Sequence, residues 1–238
     1  MARVPEFPER GVRKMKYWLE LAANPLFILK KLQIEALSGY SGFIKGRVLD
    51  IGCGLRPYAR YLRAKIYVGI DILAEVKPDI RSRCDPLPFK DGSFDSVICT
   101  EVLEHILRPQ ACLAQINKAL KKGGIVYITV PQSWCLHYEP DDYWRFTRYG
   151  IETLVKEAGF EIVAMRRIGG VFSLAGVRLV DVAWTVIRNC LGSLGGKFAE
   201  QAATALCLGF SLLFYILAKL GDGIDQRDAL GWAVLAKK

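Results

Sequence analysis

The chain has 238 residues, of which 52% are hydrophobic and 24% are charged. This composition excludes an intrinsically disordered chain, a collagen-like repeat and a coiled-coil rod, and the length fits one large domain with appendages. Lysine and arginine outnumber the acids by 33 to 24, which gives a net charge of +9. This excess favours an anionic partner, which is a membrane surface, a nucleic acid or a phosphorylated substrate.

Seven cysteines are spread along the chain, and no two of them have Cys-x-x-Cys spacing. The odd number and the spacing argue against a disulfide framework and against a structural zinc site, and they favour a reducing compartment. Residues 1–18 carry charges and prolines where a secretory signal needs an apolar run, so we expect no export signal. The expected location is the cytoplasm, and a position at the inner face of the membrane stays an open alternative.

Short apolar runs predict the strands of a sheet. They lie at 47–51, 66–70, 93–100, 124–130 and 160–167. Helical patterns fall between several of these runs. Strands that alternate with helices indicate a parallel sheet covered on both faces.

The predicted helices carry recognisable start and stop signals. Two short N-terminal helices are expected at 14–23 and 26–37, on either side of Pro25. A third is expected over 109–120, because a proline suits its first turn and the Gly-Gly pair at 123–124 would stop it. A fourth should begin after an N-cap at Thr147.

Residues 168–230 have fewer charges and recurrent glycines. The stretch 201–218 has 18 residues without a formal charge, which is the lower limit for a membrane-spanning helix of about 17–25 residues. Three alternatives stay open for these helices: they cover the sheet or a dimer interface, they lie on a membrane surface, or they span the membrane. Residues 231–238, GWAVLAKK, are predicted to form a last strand.

A glycine turn after the first predicted strand is the strongest local signal. In VLDIGCG (48–54), Gly52 and Gly54 have no side chain to keep a ligand from the backbone. A dinucleotide fingerprint would need glycine where Pro57 stands, which disfavours a nicotinamide or flavin site. Asp71 follows Gly54 by 17 residues at a predicted strand end, where a carboxylate accepts hydrogen bonds from ribose hydroxyls. Together these features predict a nucleoside site.

Several further motifs stand in a characteristic order. They read LPFKDGSFD (87–95), EVLEHI (101–106) and ALKKGGIVYITVP (119–131). With the glycine turn, they resemble the class I S-adenosylmethionine-dependent methyltransferases, in the group with LPFxDxSFD and ExLEH motifs. The resemblance covers 47–167 and resumes at the last strand. It implies a Rossmann-like, doubly wound α/β sheet that is mostly parallel with a final antiparallel strand, plus N-terminal helices and an apolar helical insertion before the last strand.

The resemblance also implies roles for individual residues toward S-adenosyl-L-methionine. The turn residues Asp50, Gly52, Cys53 and Gly54 would cradle its methionine part. Asp71 would hold the ribose and Ile72 would pack on the adenine. Thr100 and Glu101 would line the pocket near the methyl donor, with His105 at the start of the following helix. Many relatives bind the adenine amino group with an acid at the position of Arg83, so this contact falls to Asp85 or to backbone groups.

A polar and aromatic loop follows the predicted strand at 124–130. It reads HYEPDDYWRFTRYGI (137–151). Ligands bind at the carboxyl ends of strands in open α/β sheets, so the loop is a candidate acceptor site. Its candidate residues for substrate binding or proton transfer are His137, Glu139, Asp141, Asp142, Tyr143 and Arg145. The alternative is structural: Tyr143 and Trp144 would pin the loop, and Asp142 would pair with Arg145.

The predicted activity is methyl transfer to a small-molecule, lipid-linked or cell-envelope acceptor. The two histidines, His105 and His137, are the candidate general bases, and no metal is expected. Residues 1–46 would form a helical lid, 47–167 the methyltransferase core, and 168–238 the apolar insertion with the last strand. The alternatives are a non-catalytic, membrane-associated cofactor-binding partner and, less favoured, an RNA methyltransferase. Peripheral membrane contact and a homodimer stay open, and a nucleic-acid partner is not expected.

Overall fold

A computed structural model describes residues 26–192 and 196–238, and within them seven strands form one sheet in the order β3-β2-β1-β4-β5-β7-β6. The strands are β1 (Lys45–Ile51), β2 (Arg63–Asp71), β3 (Ile80–Arg81), β4 (Phe94–Thr100), β5 (Leu120–Pro131), β6 (Glu161–Ile168) and β7 (Gly231–Lys237). Each predicted strand is present. The chain reverses its direction of travel across the sheet after β3, so β1 and β4 lie side by side at the switch point where ligands bind in such sheets.

The pairing of the strands confirms the predicted fold class. β1 pairs in parallel with β2 and β4, and β4 pairs in parallel with β5. β7 runs antiparallel to β5, from Ile125 opposite Lys237 to Pro131 opposite Gly231. All but one residue of β4 is buried, as expected for a strand covered on both faces.

The described residues contain five longer helices: α1 (Phe27–Tyr40), α2 (Pro109–Ala119), α3 (Arg148–Glu157), α4 (Val171–Gly192) and α5 (Gly196–Gly221). Single turns of 3₁₀ helix occupy Ala59–Tyr61, Ala74–Val76 and Leu103–His105. The helix predicted at 26–37 is α1, whereas the one predicted at 14–23 lies outside the described residues.

The ends of α2 and α3 test the predicted signals. Pro109 does stand in the first turn of α2, and the Thr147 hydroxyl caps α3 by accepting a hydrogen bond of 3.1 Å from the Gly150 amide. The Gly123–Gly124 stop was wrong, because α2 ends at Ala119 and β5 starts at Leu120. The glycines lie inside the strand instead, and Gly123 has a positive φ of 76°.

The chain divides into two compact units. One consists of residues 34–167 with 231–238 and contains the sheet, whose apolar core includes the buried side chains of Leu49, Phe94 and Leu113. The other comprises residues up to 33 with 168–230, and its described part contains α4 and α5. The predicted three-part division of the chain remains a prediction.

Within the second unit, α4 and α5 pack closely. A Cβ at Gly176 of α4 would lie 2.5 Å from Cβ of Phe214 on α5, so only glycine fits there. The Asp222 carboxylate accepts hydrogen bonds from the amides of Phe172 and Ser173 at the start of α4. Large apolar side chains such as Phe210 and Leu220 remain exposed on α5.

Two further findings concern membrane-spanning helices and the pairing of cysteines. Among the described residues, none of the helices has both the length and the apolar character needed to cross a membrane. Cys84 and Cys112 form a disulfide, with their Cα atoms 5.4 Å apart. The spacing argument missed this pair because Cys84 precedes β4 and Cys112 lies on α2, and only the fold brings these two positions together.

Candidate active site

The glycine turn after β1 and the acid at the end of β2 lie against each other. The Gly54 amide donates a hydrogen bond of 2.9 Å to Oδ2 of Asp71, and the Leu73 amide donates one of 2.9 Å to Oδ1. The turn is also tied to β2 by a 3.0 Å bond from the Cys53 amide to the Ile70 carbonyl. The Asp71 carboxylate is therefore held in one orientation, with lone pairs left over for a ligand's hydroxyl groups.

Two glycines allow the backbone of this turn to take its shape. Gly52 and Gly54 have φ values of +67° and +49°, a region that favours glycine. A Cβ at Gly52 would lie 2.3 Å from Cγ2 of Val102, whereas a Cβ at Gly54 would meet nothing within 4 Å. Gly52 thus packs on the segment after β4, and Gly54 faces open space that a ligand can enter.

Asp50 is a buried acid one residue before the end of β1. Its side chain is 1% exposed, and the Tyr67 hydroxyl donates a hydrogen bond to Oδ2. The other oxygen, Oδ1, is buried with no hydrogen-bond partner among the described residues. Burial raises the pKa of Asp50 to about 7, although the Tyr67 hydrogen bond opposes the shift. An unsatisfied buried carboxylate oxygen is costly, so it fits a ligand that brings a donor or a positive charge.

These groups fit S-adenosylmethionine in the way that the resemblance implies. Asp50 offers an unpaired oxygen for the ammonium group, Asp71 a fixed carboxylate for the ribose, and Ile72 an apolar side chain that is 53% exposed. Cys53 is buried, and burial first, then the Asp50 charge, raises its pKa to about 12. The Cys53 thiol therefore stays protonated, and Cys53 contributes to the site through its backbone. Asp85 is half-buried just after the short strand β3, and its contact with adenine remains a prediction.

The segment after β4 contributes the next part of the site. Thr100 is buried at the end of the strand, and the Glu101 amide donates a 3.0 Å hydrogen bond to the Thr129 carbonyl of β5. Glu101 has a positive φ of 54°, which is uncommon outside glycine and concentrates at functional sites. This bend separates Glu101 from the 3₁₀ turn that follows.

The two histidines, 32 positions apart in sequence, meet beside this segment. The ring centroids of His105 and His137 are 4.6 Å apart in an edge-to-face arrangement. Nδ1 of His105 is 2.6 Å from the Asp141 carbonyl oxygen, and Nδ1 of His137 is 3.1 Å from the Cys135 carbonyl oxygen. The expected position of His105 at the start of the next helix was wrong, since it ends the 3₁₀ turn and α2 begins only at Pro109.

The loop after β5 is fastened to the same turn, much as the structural alternative expected. The Tyr143 and Trp144 amides donate to the Glu104 carbonyl at 2.9 and 3.2 Å. The guanidinium of Arg145 binds both carboxylate oxygens of Asp142, at 2.7 and 2.8 Å. Arg145 therefore lowers the pKa of Asp142 well below its usual range. Of the predicted substrate-binding residues, Glu139 is exposed, while Tyr143 donates from its hydroxyl to Asp141 at 2.7 Å.

Sequence reasoning missed two residues of the site. Glu104 is completely buried, and neither of its carboxylate oxygens has a hydrogen-bond partner among the described residues. Burial raises the pKa of Glu104, and the Glu101 charge adds to the effect. Tyr67 binds Asp50 but lies mid-strand, where an aromatic side chain is ordinary. A signal for Glu104 was available, because an acid beside a histidine in an otherwise apolar turn is unusual.

A family model described as a methyltransferase domain matches residues 19–165, which is more than half of the chain. The chain belongs to this family. The predicted S-adenosylmethionine-dependent methyltransferase family is therefore confirmed, and S-adenosylmethionine is the cofactor that the family implies. The methyltransferase domain includes the glycine turn, Asp71, both histidines and the loop after β5.

Comparisons with individual proteins agree with this family. An uncharacterised protein of Methanocaldococcus jannaschii is 34% identical over 111 residues, which cover 43% of this chain and 52% of that protein. A ubiquinone biosynthesis O-methyltransferase of Xanthomonas oryzae pv. oryzae is 28% identical over 123 residues, or 44% of this chain and 52% of that protein. The chain thus spans about half the length of these curated relatives. A solved S-adenosylmethionine-dependent methyltransferase from Mesorhizobium loti shares the fold, with a TM-score of 0.56 at 14% identity over 92% of this chain and 100% of that one.

Proposed function

We propose that this protein transfers a methyl group from S-adenosylmethionine to an oxygen of a small-molecule or lipid-linked acceptor. The observation that carries the proposal is the pairing of the glycine turn with Asp71, next to the unsatisfied oxygen of Asp50. When bound, the cofactor supplies a methyl group already activated on a sulfonium. The task left to the protein is alignment of the acceptor, exclusion of water and removal of a proton.

The cofactor would be held by two acids with different tasks. Asp71 receives two backbone hydrogen bonds and keeps a fixed direction toward the ribose hydroxyls. Asp50 has a pKa of about 7 and becomes fully ionised when a positive ammonium group is placed beside it. Thr100 and Glu101 would line the pocket near the methyl donor, because Thr100 ends the strand beside β1 and Glu101 follows it directly.

Either histidine is arranged to take a proton from an acceptor hydroxyl. The Nδ1 atoms face carbonyl oxygens, which accept only, so Nδ1 carries the hydrogen and Nε2 carries the lone pair. Burial lowers the pKa of His137, so this side chain is neutral at pH 7 and ready to accept a proton. Asp142 lies 3.2 Å from Nδ1 of His137 and would stabilise the charge that forms.

Two observations support the acceptor class. The relative from Xanthomonas oryzae is by name an O-methyltransferase of ubiquinone biosynthesis, which favours an oxygen acceptor with a lipid-like tail. Apolar side chains of α5, including Phe210 and Leu220, are exposed, and the chain has a net charge of +9. Such a surface suits peripheral contact with an anionic membrane, where lipid-linked acceptors are found.

The test is transfer of labelled methyl groups into a cell extract that is then separated into lipid, small-molecule, protein and RNA fractions. We expect label in the lipid or small-molecule fraction, and none with Asp71→Ala. Asp95→Ala is the matched control, since Asp95 also accepts a backbone hydrogen bond, 2.8 Å from Arg47, but lies at the other end of β4. Label in RNA would refute the acceptor class. Cofactor binding without any labelled product would instead support a non-catalytic partner protein.

A further inference from the structure

Three side chains with metal-ligating atoms meet beside the proposed acceptor site. One ligand atom each from Glu104, His105 and His137 lies within 4.8 Å of the others. The first two belong to the 3₁₀ turn after β4, and the third opens the loop after β5. We propose that these three residues bind one divalent transition-metal ion, although the sequence offers no convincing metal cluster and predicts no metal.

The Glu104 carboxylate is the strongest argument for this site. It is completely buried, and neither oxygen has a hydrogen-bond partner among the described residues. A buried carboxyl group without hydrogen-bond partners is costly, so native structures seldom retain one without a use. Nε2 of His105 lies 3.8 Å from Oε1 of Glu104. A metal ion between them would satisfy the carboxylate that the protein itself leaves unpaired.

Both histidines are oriented as metal ligands usually are. A ligating imidazole typically donates its second N–H to a carbonyl or carboxylate, which fixes the ring and its tautomer. Nδ1 of His105 does so toward the Asp141 carbonyl at 2.6 Å. Nδ1 of His137 faces the Cys135 carbonyl at 3.1 Å and the Asp142 carboxylate at 3.2 Å. Each Nε2 lone pair is therefore left for a ligand, and Arg145 in turn holds Asp142 in place.

The ligand set indicates the class of metal. Two imidazoles and a carboxylate suit zinc and neighbouring first-row ions, whereas magnesium and calcium prefer oxygen ligands alone. Bonds of about 2.1 Å place tetrahedral ligand atoms about 3.4 Å apart, so the three atoms, which lie within 4.8 Å of one another, need to close by up to about 1.4 Å. Three protein ligands leave a coordination position open.

The role of the metal rests on the proposed function, although its binding does not. An acceptor hydroxyl in the open position would be polarised and its pKa lowered, which makes it a better nucleophile. A histidine cannot use the same lone pair for a metal and for a proton. A bound metal would thus replace the histidines as the activator of the acceptor, and they would become ligands.

The experiment is titration of the metal-free full chain with Zn²⁺ alone by calorimetry, with no cofactor or acceptor present. We expect one ion per chain, and a loss of affinity of at least tenfold in His105→Ala, His137→Ala and Glu104→Gln. The matched controls are Cys135→Ser, which removes an exposed thiol close to the site, and Glu139→Gln, which removes a carboxylate from the same loop. Both controls should bind as the parent does.

Two further readouts keep the result interpretable. Circular dichroism establishes that each variant is folded, and Zn²⁺ should raise the melting temperature of the parent but not of His137→Ala. Co²⁺ should give visible absorption without a thiolate charge-transfer band. Unchanged affinity in both histidine variants would overturn the proposal, as would a thiolate band that Cys135→Ser abolishes. Asp71→Ala should keep its metal affinity, so failure of the metal site and failure of the cofactor site are distinguishable.

Discussion

The hydrogen bond from Tyr67 to Asp50 provides a sharp test of the cofactor site. Burial raises the pKa of Asp50 to about 7, and the Tyr67 hydroxyl holds it from rising further. A hydrogen bond to a charged group contributes about 1.5–3 kcal/mol, and about 1.4 kcal/mol corresponds to one pKa unit. Tyr67→Phe should therefore raise the pKa of Asp50 by about 1–2 units, since the ionised form loses its donor.

The consequence is a shift in the pH dependence of cofactor binding. At pH 7 the ionised fraction of Asp50 should fall from about one half to between about one tenth and one hundredth, which weakens binding about 5- to 50-fold. Calorimetric titration with S-adenosylhomocysteine between about pH 6 and about pH 9 measures this, and the deficit should shrink toward high pH. Tyr149→Phe, which removes a hydroxyl from an exposed position on α3, is the control. Parallel pH profiles for Tyr67→Phe and the parent would refute the reasoning.

Three stability measurements test other parts of the description. The pKa of Asp50 is about 7 in the folded protein, against 3.8 for an unperturbed aspartate. The folded parent should therefore lose stability as the pH rises from 3.8 to about 7, because burial opposes ionisation of Asp50. Asp50→Asn should accordingly raise the melting temperature more at pH 8 than at pH 5. Gly52→Ala should lower the free energy of unfolding, measured in urea, by about 1–3 kcal/mol, because alanine tolerates the positive φ poorly and its Cβ would clash with Val102. Adding Val102→Ala should recover part of this loss. No recovery would contradict the clash. Thr147→Ala should cost about 1 kcal/mol by removing the cap of α3, whereas Thr153→Ala on the same helix should be near neutral, and equal losses would argue against capping.

The elements that the sequence predicted well are those that local patterns determine. The apolar runs that became β1 and β4 are buried on both faces, so they leave an uninterrupted signal. The glycine turn could be located because its backbone conformation requires residues without a Cβ. The start of α2 at Pro109 followed from one residue, but its end did not. A long strand that begins at Leu120 overrides the nearby glycines.

The parts that escaped prediction depend on contacts between distant segments. Nothing in the spacing of His105 and His137 shows that their rings meet, because this depends on how β4 and β5 align. The disulfide likewise joins two distant positions, Cys84 before β4 and Cys112 on α2, which are 28 residues apart in sequence. Glu104 stood inside a motif used for recognition, yet its isolation from hydrogen-bond donors is a property of packing, which a single sequence does not display.

Glu104 contacts the loop after β5 through its main-chain oxygen and the two histidines through its side chain. Its main-chain oxygen holds the amides of Tyr143 and Trp144, while its side chain faces the histidines. An engineer who exchanges the loop at 137–146 for that of another enzyme would therefore disturb the anchoring of the turn at 103–105. Grafts that carry both segments as a pair should be tolerated better than loop swaps alone, and the two segments should diversify together when acceptor preference changes.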